Sequence, residues 1–154
     1  NNKDSLIAVS SDTYFDIIRF LERNEKVSTL ALIAAGGWLE SLYLVTNLTE
    51  YSEEDKTIQG VADQKIIFSN LMFYLEQHQD LADIQDIMDE LLPIKEVFDE
   101  LEIVNIENNP KTDNNETIVV GGQTKIKITE EQYLKLKQTI SKVRNNLTEN
   151  NVTL

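Results

Sequence analysis

The chain has no cysteine in its 154 residues. That excludes a disulfide framework and a thiol nucleophile, and leaves cysteine usage silent about the compartment. Histidine occurs once, as His78. The Ser–His and Cys–His pairs on which nucleophilic and acid–base catalysis usually rest therefore have almost nothing to draw on. Proline occurs twice, as Pro93 and Pro110. The first falls inside a helical pattern, where it predicts a kink or a break, and the second falls in a loop. Bases are scarce beside acids, 14 against 27, for a net charge of −13. Sixteen acids and three lysines lie between residues 49 and 107, so that segment carries the whole excess. A polyanion would be repelled there, which excludes DNA and RNA as partners.

Apolar residues make up 41% of the chain and charged residues 27%, the composition of a folded domain. Its length suits one domain over residues 1–154, with a real core. Asn1 opens the sequence without a Met, and no signal peptide is visible, so a processed chain or a piece of a longer one is expected. The stretch Leu30 to Val45 holds the only Trp, two adjacent glycines and one charge, Glu40. Apolar residues fall on nearly every side of its helical wheel. Such a helix is buried or in a membrane. A bilayer span needs about 20 consecutive apolar residues, so this shorter, interrupted run is read as the central helix of a bundle with no transmembrane segment.

The periodicity predicts four to five helices and one small β-hairpin. A first helix starts at Asp4 or Ser5 and runs to about Asn24, unless Asp12 caps a new start. Ser28 caps the central helix, which ends near Asn47 or Leu48. Ser52 caps a third helix over about Glu53 to His78. Its apolar face, including Ile58, Val61, Ile66, Phe68, Met72 and Leu75, is wide enough for more than one neighbour. His78 then sits at the helix end, beside terminal carbonyls. The fourth helix starts between Asp80 and Asp83 and runs to about Ile103, with Ile84, Ile87, Leu91, Ile94, Phe98 and Leu101 as one stripe. Residues 105–116 read as a flexible loop.

Thr117 to Val120 and Lys125 to Ile128 flank Gly121 and Gly122, a hairpin over about residues 117–128. A three-residue turn pairs Ile118 with Ile126. Thr129 and Gln132 form a capping box before the last helix, buried along Tyr133, Leu136, Ile140, Val143 and Leu147. Residues 125–144 carry six bases and two acids, and are expected to dock beside the acidic third and fourth helices. Residues 148–154 are expected to fray.

Gly36 and Gly37 each cost roughly 1 kcal/mol relative to alanine inside a helix. Such a cost has a packing reason, here the close approach of another helix backbone. Trp38, Glu40 and Tyr43 then have two readings. Either the aromatics are core, the usual fate of such side chains, or the three line a small ligand-binding cleft that the glycines open. Glu40 has Arg19, Arg23 and Lys65 as candidate partners. Asp83, Asp86, Asp89 and Glu90 line one helix face. A carboxylate ladder can hold Ca²⁺, or two irons with Glu-x-x-His motifs. The sequence has neither that motif nor an Asp-x-Asp-x-Asp-Gly loop. A solvated face is the expected role, with no metal and no cofactor.

The residues Asp4-Ser5-Leu6 and Gly37-Trp38-Leu39-Glu40-Ser41-Leu42-Tyr43 resemble a family of uncharacterised bacterial cell-envelope lipoproteins. The resemblance implies a mostly helical domain, an envelope location, and a lipid anchor on an N-terminal part not contained in this sequence. It implies no activity. The expected function is accordingly a non-enzymatic helical domain acting through protein–protein contact, with the oligomeric state open. The alternative is a ligand-binding or sensory bundle with its site at Trp38, Glu40 and Tyr43.

Overall fold

The computed structural model describes residues 16–106 and 123–149. Five helices and one antiparallel strand pair follow in chain order. They are α1 (residues 16–23), α2 (Val27–Leu48), α3 (Lys56–Glu76), α4 (Ala82–Asp99), β1 (Ile103–Ile106), β2 (Gln123–Ile126) and α5 (Glu130–Glu149). The expected mainly helical architecture, with a small strand pair before the last helix, is what the chain adopts. Whether the first helix begins at Asp4 or Asp12 lies outside the described residues, as does the tail beyond residue 149.

α1 turns into α2 within three residues. Lys26 donates its backbone N–H to the Leu21 carbonyl at 2.9 Å, and Glu25 takes φ 54°, a left-handed conformation. A side chain there costs about 1–2 kcal/mol, which glycine avoids at some entropic expense. Glu25→Gly is therefore expected to stabilise the fold by about 0.5–1 kcal/mol, read as a rise in the urea midpoint at unchanged slope. α2 starts at Val27 with no side-chain cap, so Ser28 does not serve as one. Asp55, rather than Ser52, caps α3, accepting the Thr57 amide at 2.7 Å. The capping box forms as expected: Thr129 N donates to Gln132 Oε1 at 2.9 Å, and Gln132 N donates to Thr129 Oγ1 at 3.2 Å.

The core lies between α2, α3, α4 and α5, where α4 packs on α5 and α3, and α2 touches all three others. Every member of the α4 stripe, from Ile84 to Leu101, is buried. Pro93 does not break α4, which runs through it, because buried Leu91 and Ile94 on either side hold the helix to the core. On α5, Tyr133, Leu136, Ile140 and Val143 are buried. Phe68, Phe98 and Trp38 form a three-ring cluster, with centroids 4.9 Å apart for Trp38–Phe68 and 5.5 Å for Phe68–Phe98.

The strand pair differs from expectation in its first member. Ile126 pairs with Ile103, and Lys125 with Val104, while the expected partner Ile118 lies outside the described residues. β1 comes from the segment read as the end of the fourth helix and the start of the loop. α4 stops at Asp99, Lys65 Nζ donates to the Leu101 carbonyl at 2.9 Å, and the chain turns into a strand. Residues 107–122, including the rest of the expected loop, Thr117 to Val120 and the Gly121–Gly122 turn, lie outside the described residues. Ile126 is buried, and its carbonyl accepts from Gln59 Nε2 of α3 at 3.1 Å. The basic segment therefore divides. β2 packs on α3, while α5 packs on α4, with Lys135 paired to Glu100 at 2.5 Å.

Candidate functional site

α2 is buried along one stripe only, formed by Ala31, Ala35, Leu39, Leu42 and Thr46 at spacings of three and four. The expectation of an all-round buried helix is corrected here. A helix in a bundle this small has neighbours on one side, and the apolar residues on the other face outward. Leu48 is 84% exposed, Leu32 53% and Leu44 49%, with Ile33 and Val45 also exposed. The helix is also longer than the apolar run suggested. At 22 residues it can cross a bilayer by length and composition alone, although its core stripe is committed to α3, α4 and α5.

The three residues proposed for a cleft do not converge. Trp38 turns toward α3, where its indole N–H donates to Gln64 Oε1 at 3.0 Å. Glu40 and Tyr43 turn toward α5. Arg144 donates from Nε to Glu40 Oε2 at 2.6 Å and from a terminal nitrogen to Glu40 Oε1 at 3.2 Å. Its guanidinium carbon sits 4.4 Å from the Tyr43 ring centroid. Glu40 thus pairs with none of Arg19, Arg23 and Lys65. The hydrogen bond to Glu40 holds the Arg144 pKa above its ordinary value. This forked contact ties α2 to α5 and holds their relative rotation. Nothing local in the sequence marks Arg144 as its partner, because the two are 104 residues apart.

Trp38 does border open space. On one side, Trp38, Ser41, Val45, Thr57, Gly60 and Gln64 line a groove of about 290 Å³ between α2 and α3. On its other side Leu30, Ala34, Ile67, Leu71 and Tyr74 line a shallower one of about 380 Å³. The two depressions share the Trp38 indole and follow the α2–α3 seam. Their linings contain no charged side chain. Sequence reading picked out Trp38 and missed Gly60 and Gln64, which only the crossing of α3 brings beside it. Trp38 is half-buried, so acrylamide should quench its fluorescence to a degree between that of a free indole and that of a core residue.

The glycines are the second unexplained feature. A Cβ added at Gly36, Gly37 or Gly60 meets nothing within 4 Å. The expected close approach of another helix is thus not made within the described chain. Elsewhere, Asp83, Asp86 and Asp89 lie exposed along α4. Among the described residues no three carboxylate or imidazole groups come together as a metal set. His78 packs edge-on to Tyr74 at 5.3 Å, beyond the end of α3. No family model matches the chain, and comparison with curated proteins and with solved structures finds no similar protein.

Proposed function

We propose that this is a non-enzymatic helical interaction module that docks a partner helix of apolar, uncharged face against the outer side of α2. The observation that carries this reading is the exposure of Ile33, Leu44, Val45 and Leu48 on a helix with a single charge, itself neutralised by Arg144. Large contiguous apolar surface left in water marks an interaction site more often than chance scatter does. A groove beside an amphipathic face is a common receptor for a helix. Placement in the bacterial cell envelope belongs to the same proposal, and rests on the resemblance of the Gly37–Tyr43 motif.

A photo-crosslinking phenylalanine analogue placed at position 44, and separately at Asp86 on α4, tests the docking face in the native cells. Adducts from position 44 and not from position 86 are expected. Equal labelling from both, or none from position 44, would overturn the reading.

The groove itself favours a second reading, a small neutral apolar ligand held beside Trp38. Titration with N-phenyl-1-naphthylamine should then show energy transfer from Trp38 that saturates at one equivalent and is lost in Gly60→Phe. Linear, unsaturable transfer would exclude it.

A further inference from the structure

We propose that the partner on this face is a second copy of the chain, with α2 of each protomer lying in the α2–α3 groove of the other about a two-fold axis near Gly37. The inference rests on the docking reading above and names its occupant. Leu30, Gly37 and Leu44 recur every seven residues, and Ala34, Ser41 and Leu48 recur every seven with an offset of four. That is the seam pattern of a helix paired with another helix. Among the described residues this seam is only partly covered: Gly37, Ser41, Leu44 and Leu48 are exposed, Leu30 and Ala34 are half-buried beside α3, and all six lie off the stripe of Ala31, Leu39 and Leu42 that enters the core. Gly37 in the seam and Gly60 in the groove wall both leave room that no atom of the described residues uses. Close approach of a second backbone would use it.

Charge selects the occupant. The molecule carries −13, with the excess in residues 49–107, so two copies repel one another overall and most strongly across that acidic segment. The linings of the two α2–α3 grooves carry no charged side chain and offer nothing to hold a basic peptide. An anionic membrane surface is repelled by the rest of the chain. A second neutral seam meets neither objection. Size is also adequate. A 22-residue helix is about 33 Å long, and two adjacent helices present a slab about 20 Å wide. Its projected area, roughly 650 Å², approaches the ~800 Å² per partner of a standard interface once side-chain relief is included. Because each protomer supplies both helix and groove, the contact is self-complementary and closes at two copies.

Sedimentation equilibrium from about 1 to about 300 µM, at roughly 50 and 500 mM NaCl, is the test. A monomer–dimer equilibrium is expected, tighter at high salt because screening relieves the mutual repulsion. Leu44→Glu should weaken it at least tenfold, and Leu48→Glu should repeat the effect. Both positions are exposed, and circular dichroism checks that the helices persist. The absence of cysteine allows a geometric readout: Gly37→Cys should oxidise to a covalent dimer, and Gln85→Cys on exposed α4 should not. A monomer at every concentration and both salts would overturn the proposal, as would a dimer indifferent to both glutamate variants. If the purified chain is monomeric while position 44 still crosslinks in cells, the second copy fails and the docking face stands. Loss of both signals removes both.

Discussion

Replacing Tyr133 with alanine is expected to remove about 3–5 kcal/mol of stability, and replacing it with phenylalanine about 1 kcal/mol. The contrast follows from how this residue is held. Its side chain is among the largest that are fully buried, and its ring lies 5.8 Å from that of Tyr51. Its hydroxyl donates to the carbonyls of Thr46, at 3.2 Å, and Thr49, at 2.9 Å. Those oxygens belong to the C-terminal end of α2, where carbonyls have no helical partner. Tyr133 therefore joins the start of α5 to the end of α2 by packing and by a polar pin. Alanine loses both, and phenylalanine loses only the pin. Urea denaturation of the two variants, with the slope unchanged, measures the difference.

The same residue sets a pH dependence. Burial, reinforced by Asp55, raises the Tyr133 pKa above its ordinary 10.0. Above that value the unfolded chain gives up a proton that the folded chain keeps, so folding loses stability as pH rises through this window. Below pH 10 the contribution is fully present. Tyr74 is displaced in the same direction, by burial and by Glu22, so it adds to the alkaline loss. Tyr133→Phe should accordingly reduce the slope of stability against pH above 10 without abolishing it. An unchanged slope would remove Tyr133 from the account.

How much of this could be read from the sequence depended on whether the signal was local. The α4 stripe and the Thr129–Gln132 box each reside in one segment, and both hold residue for residue. The end of α4 did not, because Leu101 continues the helical spacing and is buried although the helix has already stopped at Asp99. Burial there comes from a turn and a strand pairing, and Ile103 to Ile106 finds its mate beyond residue 122. Periodicity carries no information about such a partner. The candidate site shows the same limit. Composition identified α2 as the most apolar helix, but the side left uncovered depends on where α3 and α5 sit. Ile66, read as part of a wide α3 face, is likewise 54% exposed. Trp38, Glu40 and Tyr43 are close in sequence, and the wheel sends them to two different neighbours.

Pro93→Ala is expected to stabilise the chain by about 2 kcal/mol and to raise the thermal midpoint by about 4–8 °C. Proline inside a helix forfeits the hydrogen bond to the carbonyl four residues earlier, here that of Asp89, and its ring crowds the preceding turn. The side chain is exposed and takes no part in the core, so alanine removes the penalty and loses little packing. Gly37→Ala should act in the same direction and less strongly, by about 0.5–1 kcal/mol, since a Cβ there meets nothing. The two substitutions repair similar local faults but part over association. If the glycine is retained for close approach of a second α2, Gly37→Ala stabilises the monomer and weakens the dimer. Pro93→Ala, on α4 and outside the seam, stabilises the monomer and leaves association alone. Local rules tend to be broken where a molecule does something with the breakage. Calorimetry and sedimentation on this pair of variants decide whether that holds for Gly37. Equal effects of both variants on association would make the glycine no more than a weak point in a helix.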